Sequence, residues 1–188
     1  MLHLLANPGR WRLFSLAVLL LGAGWTWAAR VPASSADAGR IASPRAGFPA
    51  PEFALETLGG ERAALADRRG KVVVVNLWAS WCGPCQAEMP AMQRVYEANR
   101  ERGLEVLAVN STVQDSEAGA REFADKLGLT FPILLDRDGE VTRRYLVRAL
   151  PATFVVGRDG VIREVIFGGP ISQAMLESKI GALLEEQP

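Results

Sequence analysis

A chain of 188 residues has room for one domain of ordinary size and an appendage. Lys+Arg and Asp+Glu balance at 21 each, which leaves no basic field for nucleic acid and no acidic, solvating tail. Two cysteines, Cys82 and Cys85, and one histidine, His3, are too few for a closed zinc site or a structural disulfide framework, and His3 is too remote for a Cys–His dyad.

In chain order, Arg10 and Arg12 precede an uncharged stretch from Leu13 to Ala29. As a helix it would be on the order of 25 Å long, near the lower limit for crossing a bilayer. Trp25 and Trp27 stand at its far end, where amphipathic rings favour the headgroup layer, and the leading arginines favour a cytoplasmic N-terminus. The competing reading is a cleaved export signal, against which the bulky tryptophans weigh at the place where small residues should precede cleavage. No cysteine lies near enough for a lipid-modified terminus. Residues 1–29 are therefore expected to be an anchor or uncleaved signal segment. Residues 30–47, rich in Ala, Ser, Pro and Gly, are expected to be a flexible linker reaching ~25 Å, and residues 48–188 a folded domain beyond the membrane.

Phe53–Leu58, Gly59-Gly60 and Glu61–Leu65 read as a short hairpin closed by a glycine turn. The β-branched run Lys71–Ala79 predicts a strand buried on both faces, and Met89, Met92, Val95 and Tyr96 predict a helix over 83–100. A second strand is expected at Leu104–Asn110. A helix should follow from Ser116 to Leu127, with Ser116 as N-cap and Gly128 as C-cap, then a third strand at Phe131–Asp136. Ala152–Val156 and Val161–Phe167 flank the turn Arg158-Asp159-Gly160 as an antiparallel hairpin, and Ser172–Glu185 is the last helix. This alternation predicts an α/β layered fold with a central mixed sheet and helices on both faces.

The chemistry falls at Trp81-Cys82-Gly83-Pro84-Cys85, where the buried strand gives way to a helix. Unpaired N–H groups and the positive end of the helix dipole stabilise a thiolate there. Cys82 at the helix start is the candidate attacking thiol, and Cys85, one turn in, the candidate resolving thiol. Gly83 leaves the approach open, and Pro84 suits a first-turn position whose N–H would have no partner. The alternatives are a zinc half-site shared between subunits, or inert cysteines. Pro151, just before a strand, is either a plain boundary residue or a cis proline.

The segments NLWASWCGPCQAEMP, FPILLD and LPATFVVGRDGVI, in that order, resemble the TlpA/ResA-like membrane-anchored thiol–disulfide oxidoreductases of the thioredoxin superfamily, over about residues 48 to 187. The resemblance implies a thioredoxin-like fold with an N-terminal hairpin and a helix–strand insertion within Ser116–Asp136. It implies that Pro151 is cis and faces the cysteines, that the backbone from Leu150 pairs with an extended substrate strand, and that Trp81 forms a lip of the substrate groove. Thioredoxins carry a buried Asp where this chain has Asn76, and the family places a Glu at the position of Glu88. Either Glu88 tunes Cys85 and assists its deprotonation, or it is a solvated first-turn carboxylate. Trp78 reads as core, and Met89 and Met92 as packing rather than copper ligands.

The expected function is reduction of disulfides in exported clients, of the cytochrome c maturation or copper-site assembly type, by a Cys82/Cys85 dithiol–disulfide cycle. No metal and no cofactor beyond that disulfide is expected. The expected partners are a disulfide-containing client protein, a membrane electron donor of thiol-transporter type and the membrane itself through the N-terminal helix, with the domain on the periplasmic or outer side of a bacterial inner membrane and no nucleic acid. A disulfide oxidase or isomerase and a Cu(I) carrier are the rivals. So is a thiol peroxidase, although Ala79 stands where peroxiredoxins need a Thr.

Overall fold

The computed structural model describes residue 15, residues 18–21 and residues 41–186. The chain divides into two units, Met1–Arg40 and Ile41–Pro188. Within the first, only Ser15 and Val18–Leu21 are described, all helical, and most of the expected anchor and the linker up to residue 40 lie outside the described residues. Among the described residues no helix is long and apolar enough to cross a membrane.

The second unit begins with a two-stranded antiparallel hairpin, β1 (Ala54–Glu56) and β2 (Arg62–Ala64), turned at Gly60 with φ 86°. Then come β3 (Val72–Trp78), α1 (Gly83–Asn99), β4 (Leu104–Asn110), α2 (Glu117–Leu127), β5 (Ile133–Leu135), α3 (Glu140–Arg144), β6 (Ala152–Val156), β7 (Ile162–Phe167) and α4 (Gln173–Glu185). Strands β3 to β7 form one sheet in the order β5-β4-β3-β6-β7. β3 runs parallel to β4 and β4 parallel to β5, while β6 is antiparallel to both β3 and β7, so the sheet is mixed.

Every residue of β3 is buried, as an unbroken apolar run between two covered faces requires. Alternate side chains serve opposite cores. Val72, Val74 and Trp78 pack with Cys85, Met89, Met92 and Val95 of α1, Ala120 and Ala124 of α2, and Leu176 and Ile180 of α4. Val73, Val75 and Leu77 pack with Phe53, Ala63, Leu65, Val141, Tyr145 and Phe154. Helices thus lie on both faces but unequally: three long ones on the first, and on the second the short α3 beside the N-terminal hairpin. At about 1.5–3 kcal/mol for each fully buried Val, Leu, Ile or Phe, β3 anchors both layers.

The helix ends follow local chemistry. Ser116 Oγ accepts from Gly119 N and Ser172 Oγ from Met175 N, and Gly128 closes α2 in the left-handed conformation at φ 61°. Pro90 lies inside α1 and removes one rung of its hydrogen-bond ladder. The helix α3 has no counterpart in the sequence expectations. It is held by the buried Asp136 carboxylate, which accepts from Val141 N, Thr142 N and Thr142 Oγ1, a side-chain device that apolar periodicity does not register.

Both outer strands of the sheet are met by the segment that precedes and enters the hairpin. Gly47 N donates to Ile162 O and Ile162 N to Phe48 O along β7. At the other side Leu58 N donates to Ile133 O, and Thr57 forms an antiparallel bridge with Leu134 of β5. Tyr145 Oη pins the middle of the segment by donating to Pro51 O at 2.8 Å, its ring edge-on to Phe53 and Phe154.

Candidate active site

Cys82 is the N-cap of α1, with extended backbone (φ −80°, ψ 108°), because β3 ends at Trp78 and the chain must turn before Pro84 can enter the first helical turn. Its Sγ accepts from Cys85 N at 3.3 Å and is bonded to Cys85 Sγ, with the two Cα atoms 5.2 Å apart. Cys82 retains 5% exposure and Cys85 none. The two sulfurs are thus distinguished by depth and by position at the helix end: an incoming sulfur reaches Cys82 first, where a thiolate would meet the N–H of Cys85 and the positive end of the dipole.

Around this pair, Gly83 and Pro84 are exposed, and a Cβ on Gly83 would meet nothing within 4 Å, so the approach is open. Trp81 is 58% exposed, its indole held by donation from Nε1 to Gln114 O at 2.8 Å. Trp78 is fully buried against Phe123, their rings 5.1 Å apart. Leu150–Pro151 is a cis peptide, Pro151 is buried, and its carbonyl accepts from Gly168 N at 2.9 Å.

Glu88 is not a solvated residue. One turn beyond Cys85 it is 1% exposed and sits in a network the sequence did not reveal. Oε1 accepts from Asn76 Nδ2 at 2.8 Å, and Oε2 accepts from Ile171 N at 3.1 Å. The Asn76 amide also donates to Thr153 Oγ1 at 2.9 Å, while its Oδ1 is buried without a hydrogen-bond partner among the described residues. Burial pushes the Glu88 carboxyl above its ordinary value, against the pull of the Ile171 and Asn76 hydrogen bonds. A Cβ on Gly169 would lie 2.7 Å from Glu88 Oε2 and 2.8 Å from Pro151 Cγ, so the carboxylate and the cis proline close on one point, and only glycine fits between them. The signal available in the sequence was a single amide in the run VVVVNLW.

A second polar cluster has no local signal in the sequence. Asp115, just before α2, accepts from Ser80 N at 2.6 Å, Ser80 Oγ at 2.7 Å, Asn110 Nδ2 at 2.8 Å and Ser116 N at 2.8 Å. These bonds outweigh its partial burial and hold the carboxyl below the usual range. Among the described residues no group of three or more His, Cys, Asp and Glu could hold a metal ion.

Residues 46–165 match the AhpC/TSA family. The thiol-disulfide oxidoreductase ResA of Geobacillus kaustophilus is 42% identical over 122 residues, which are 65% of this chain and 69% of that protein. ResA of Halalkalibacterium halodurans is 37% identical over 166 residues, 88% of this chain and 90% of the other. Among solved structures, a secreted disulfide oxidoreductase of Mycobacterium tuberculosis homologous to E. coli DsbE superposes with a TM-score of 0.63 at 29% identity, over 70% of this chain and 96% of that one.

Proposed function

The chain belongs to the ResA-like thiol–disulfide oxidoreductases of the thioredoxin superfamily, within the AhpC/TSA family, and on that premise we propose that it reduces disulfides of exported client proteins. The observation that carries the reading is the unequal pair: Cys82 capping the helix at the surface, Cys85 beneath it, and a buried carboxylate one turn further on.

In the cycle the reduced protein presents Cys82 as a thiolate. Its sulfur attacks one sulfur of the client disulfide, the client's other sulfur departs as a thiolate and takes a proton, and a mixed disulfide remains. Cys85 then loses its proton to the Glu88 carboxylate and attacks Cys82 Sγ. The client's second thiolate is released, two electrons have passed to the client, and the Cys82–Cys85 disulfide is restored. Because burial raises the affinity of Glu88 for a proton, it is suited to accept one from a neighbouring thiol. The exposed Trp81, Gly83 and Pro84 would border the client, and the Leu150 backbone beside cis Pro151 would pair with it as an extended strand. No cofactor beyond the disulfide takes part.

A reductase is favoured over an oxidase by the Gly-Pro pair between the cysteines, which this chain shares with thioredoxin at ~−270 mV, against ~−120 mV for a strong oxidant. To work outside the cytoplasm it must draw two electrons per turnover from a membrane dithiol donor. Anchoring by residues 13–29 fits that demand. Clients of the apocytochrome c or copper-site type, whose paired cysteines must be reduced before they take a metal group, suit such an enzyme.

The reduction potential of the Cys82–Cys85 pair tests the direction. A value near or below about −250 mV supports a reductase, and one near about −120 mV would make the protein a disulfide donor.

A further inference from the structure

The four bonds to Asp115 join two places far apart in sequence: the corner that starts α2, and the turn that delivers Cys82. We propose that Asp115 is a positioning residue for the attacking thiol, a carboxylate clamp by which the inserted helix α2 holds Ser80 and Trp81 and so fixes where Cys82 caps α1. The proposal rests on Cys82 being the attacking sulfur, as argued above.

Three observations support it independently of the carboxyl's acidity. First, Ser80 gives Asp115 both its backbone N–H and its hydroxyl, at 2.6 and 2.7 Å, so the carboxylate fixes the peptide and the side chain together two residues before Cys82. Second, the same corner holds the next residue, because Gln114 O accepts the Trp81 indole N–H at 2.8 Å. Ser80 O in turn accepts from Gln86 Nε2 at 2.6 Å, which ties the turn forward to the first turns of α1. Third, α2 approaches so closely that only glycine fits at position 119. A Cβ there would lie 2.9 Å from Ser80 Oγ, 3.1 Å from Ser116 Oγ and 3.3 Å from Asp115 Oδ1. Ser80 Oγ cannot turn away from such a Cβ without leaving Asp115.

The consequence is kinetic. Attack on a disulfide needs near-collinear approach to Cys82 Sγ, and that sulfur's acceptance of the Cys85 N–H depends on where residues 80 and 81 put it. With the clamp broken, Cys82 stays in the protein but loses its presentation.

The test uses the full-length reduced protein. Iodoacetamide labelling followed against pH, with peptide mass mapping, reads the rate and titration midpoint of Cys82. Exchange with a small aromatic disulfide reads its attack, and thermal unfolding is recorded in parallel. Asp115→Ala should slow both reactions by about 10- to 100-fold, the usual cost of misplacing a reacting group by about 1 Å. Gly119→Ala keeps the charge and displaces Ser80, so it should slow them in the same sense and move the Cys82 midpoint upward through geometry alone. The double variant should be no slower than Asp115→Ala, because both act on one contact. Cys82 rates in Asp115→Ala or Gly119→Ala within about twofold of the parent, whatever happens to the melting temperature, would overturn the clamp. If Asp115→Ala fails to fold, Gly119→Ala decides by the same criterion. Labelling of Cys85 ahead of Cys82 in the parent would overturn the attacking-thiol assignment instead.

Discussion

Asn76 and Thr153 stand opposite one another in the antiparallel register of β3 and β6, and the Asn76 amide spends one proton on Thr153 Oγ1 and one on Glu88 Oε1. This amide is the hinge of the site's proton chemistry. It is neutral at every physiological pH, so the buried network contains one titrating group, Glu88.

Replacing Asn76 with Asp would put two carboxyls at the 2.8 Å contact. They cannot both ionise there, so one is driven to hold its proton to higher pH. The folded state then binds more protons than the unfolded, and stability falls as pH rises. Asn76→Asp should cost about 2 kcal/mol or more at pH ~8 and clearly less at pH ~5, as read by urea denaturation.

Glu88→Gln removes the titrating group. Because the folded carboxyl lies above its ordinary 4.5, its contribution to stability is complete below that value and is lost as pH rises through the raised folded value. The variant should lack this decline, which urea midpoints collected upward from the ordinary carboxylate range will show. It should also slow resolution of a preformed mixed disulfide by about a hundredfold, the scale of a lost proton acceptor. An unchanged resolution rate would remove Glu88 from the mechanism.

Cys85→Ser should accumulate a mixed disulfide through Cys82 with any client it meets, visible as a reductant-sensitive mass increase. Cys82→Ser should accumulate far less, because the sulfur left behind has no exposure. Equal trapping by both would contradict the division of labour between them.

Two glycines with opposite surroundings give a stability contrast. Gly169→Ala drives a Cβ to within 2.8 Å of Glu88 Oε2 and Pro151 Cγ, and should cost about 1–3 kcal/mol by overpacking. Gly181→Ala, inside α4 with nothing within 4 Å of the new Cβ, should stabilise by about 0.5–1 kcal/mol. Denaturant titrations of both report whether the junction of Glu88 and Pro151 is as tight as described.

The fold was legible wherever one residue type answers one physical demand. The run VVVVNLW could only be a strand covered on both sides, Ser116 and Gly128 mark the ends of α2 at the residues observed, and Cys82-Gly83-Pro84-Cys85 opens a helix as expected. What stayed illegible is long-range and polar. Asp115 and Ser80 are ordinary surface residue types whose meeting depends on how β3 and β4 end side by side, and α3 depends on a carboxylate reaching forward from Asp136. Ile171 reaches Glu88 across 83 positions of sequence, a contact for which local pattern holds no trace. The hydrophobic layers are encoded in periodicity, whereas the polar site is encoded in topology.

The segment from Gly47 to Leu58 has a further consequence. A five-stranded open sheet offers two rows of unpaired backbone groups, either of which can recruit a strand from another molecule. Here one short stretch touches both edges, at Ile162 where β7 begins and at Ile133 and Leu134 on β5, and Tyr145 fastens it in between. Each end has holds of its own, Ala50 N on Gly160 O at one and the pairing of β1 with β2 at the other, so only loss of the whole stretch opens both rows together. Deletion of residues 47–58 would therefore release two adhesive edges at once, and the outcome would be self-association into aggregates rather than a slightly loosened monomer.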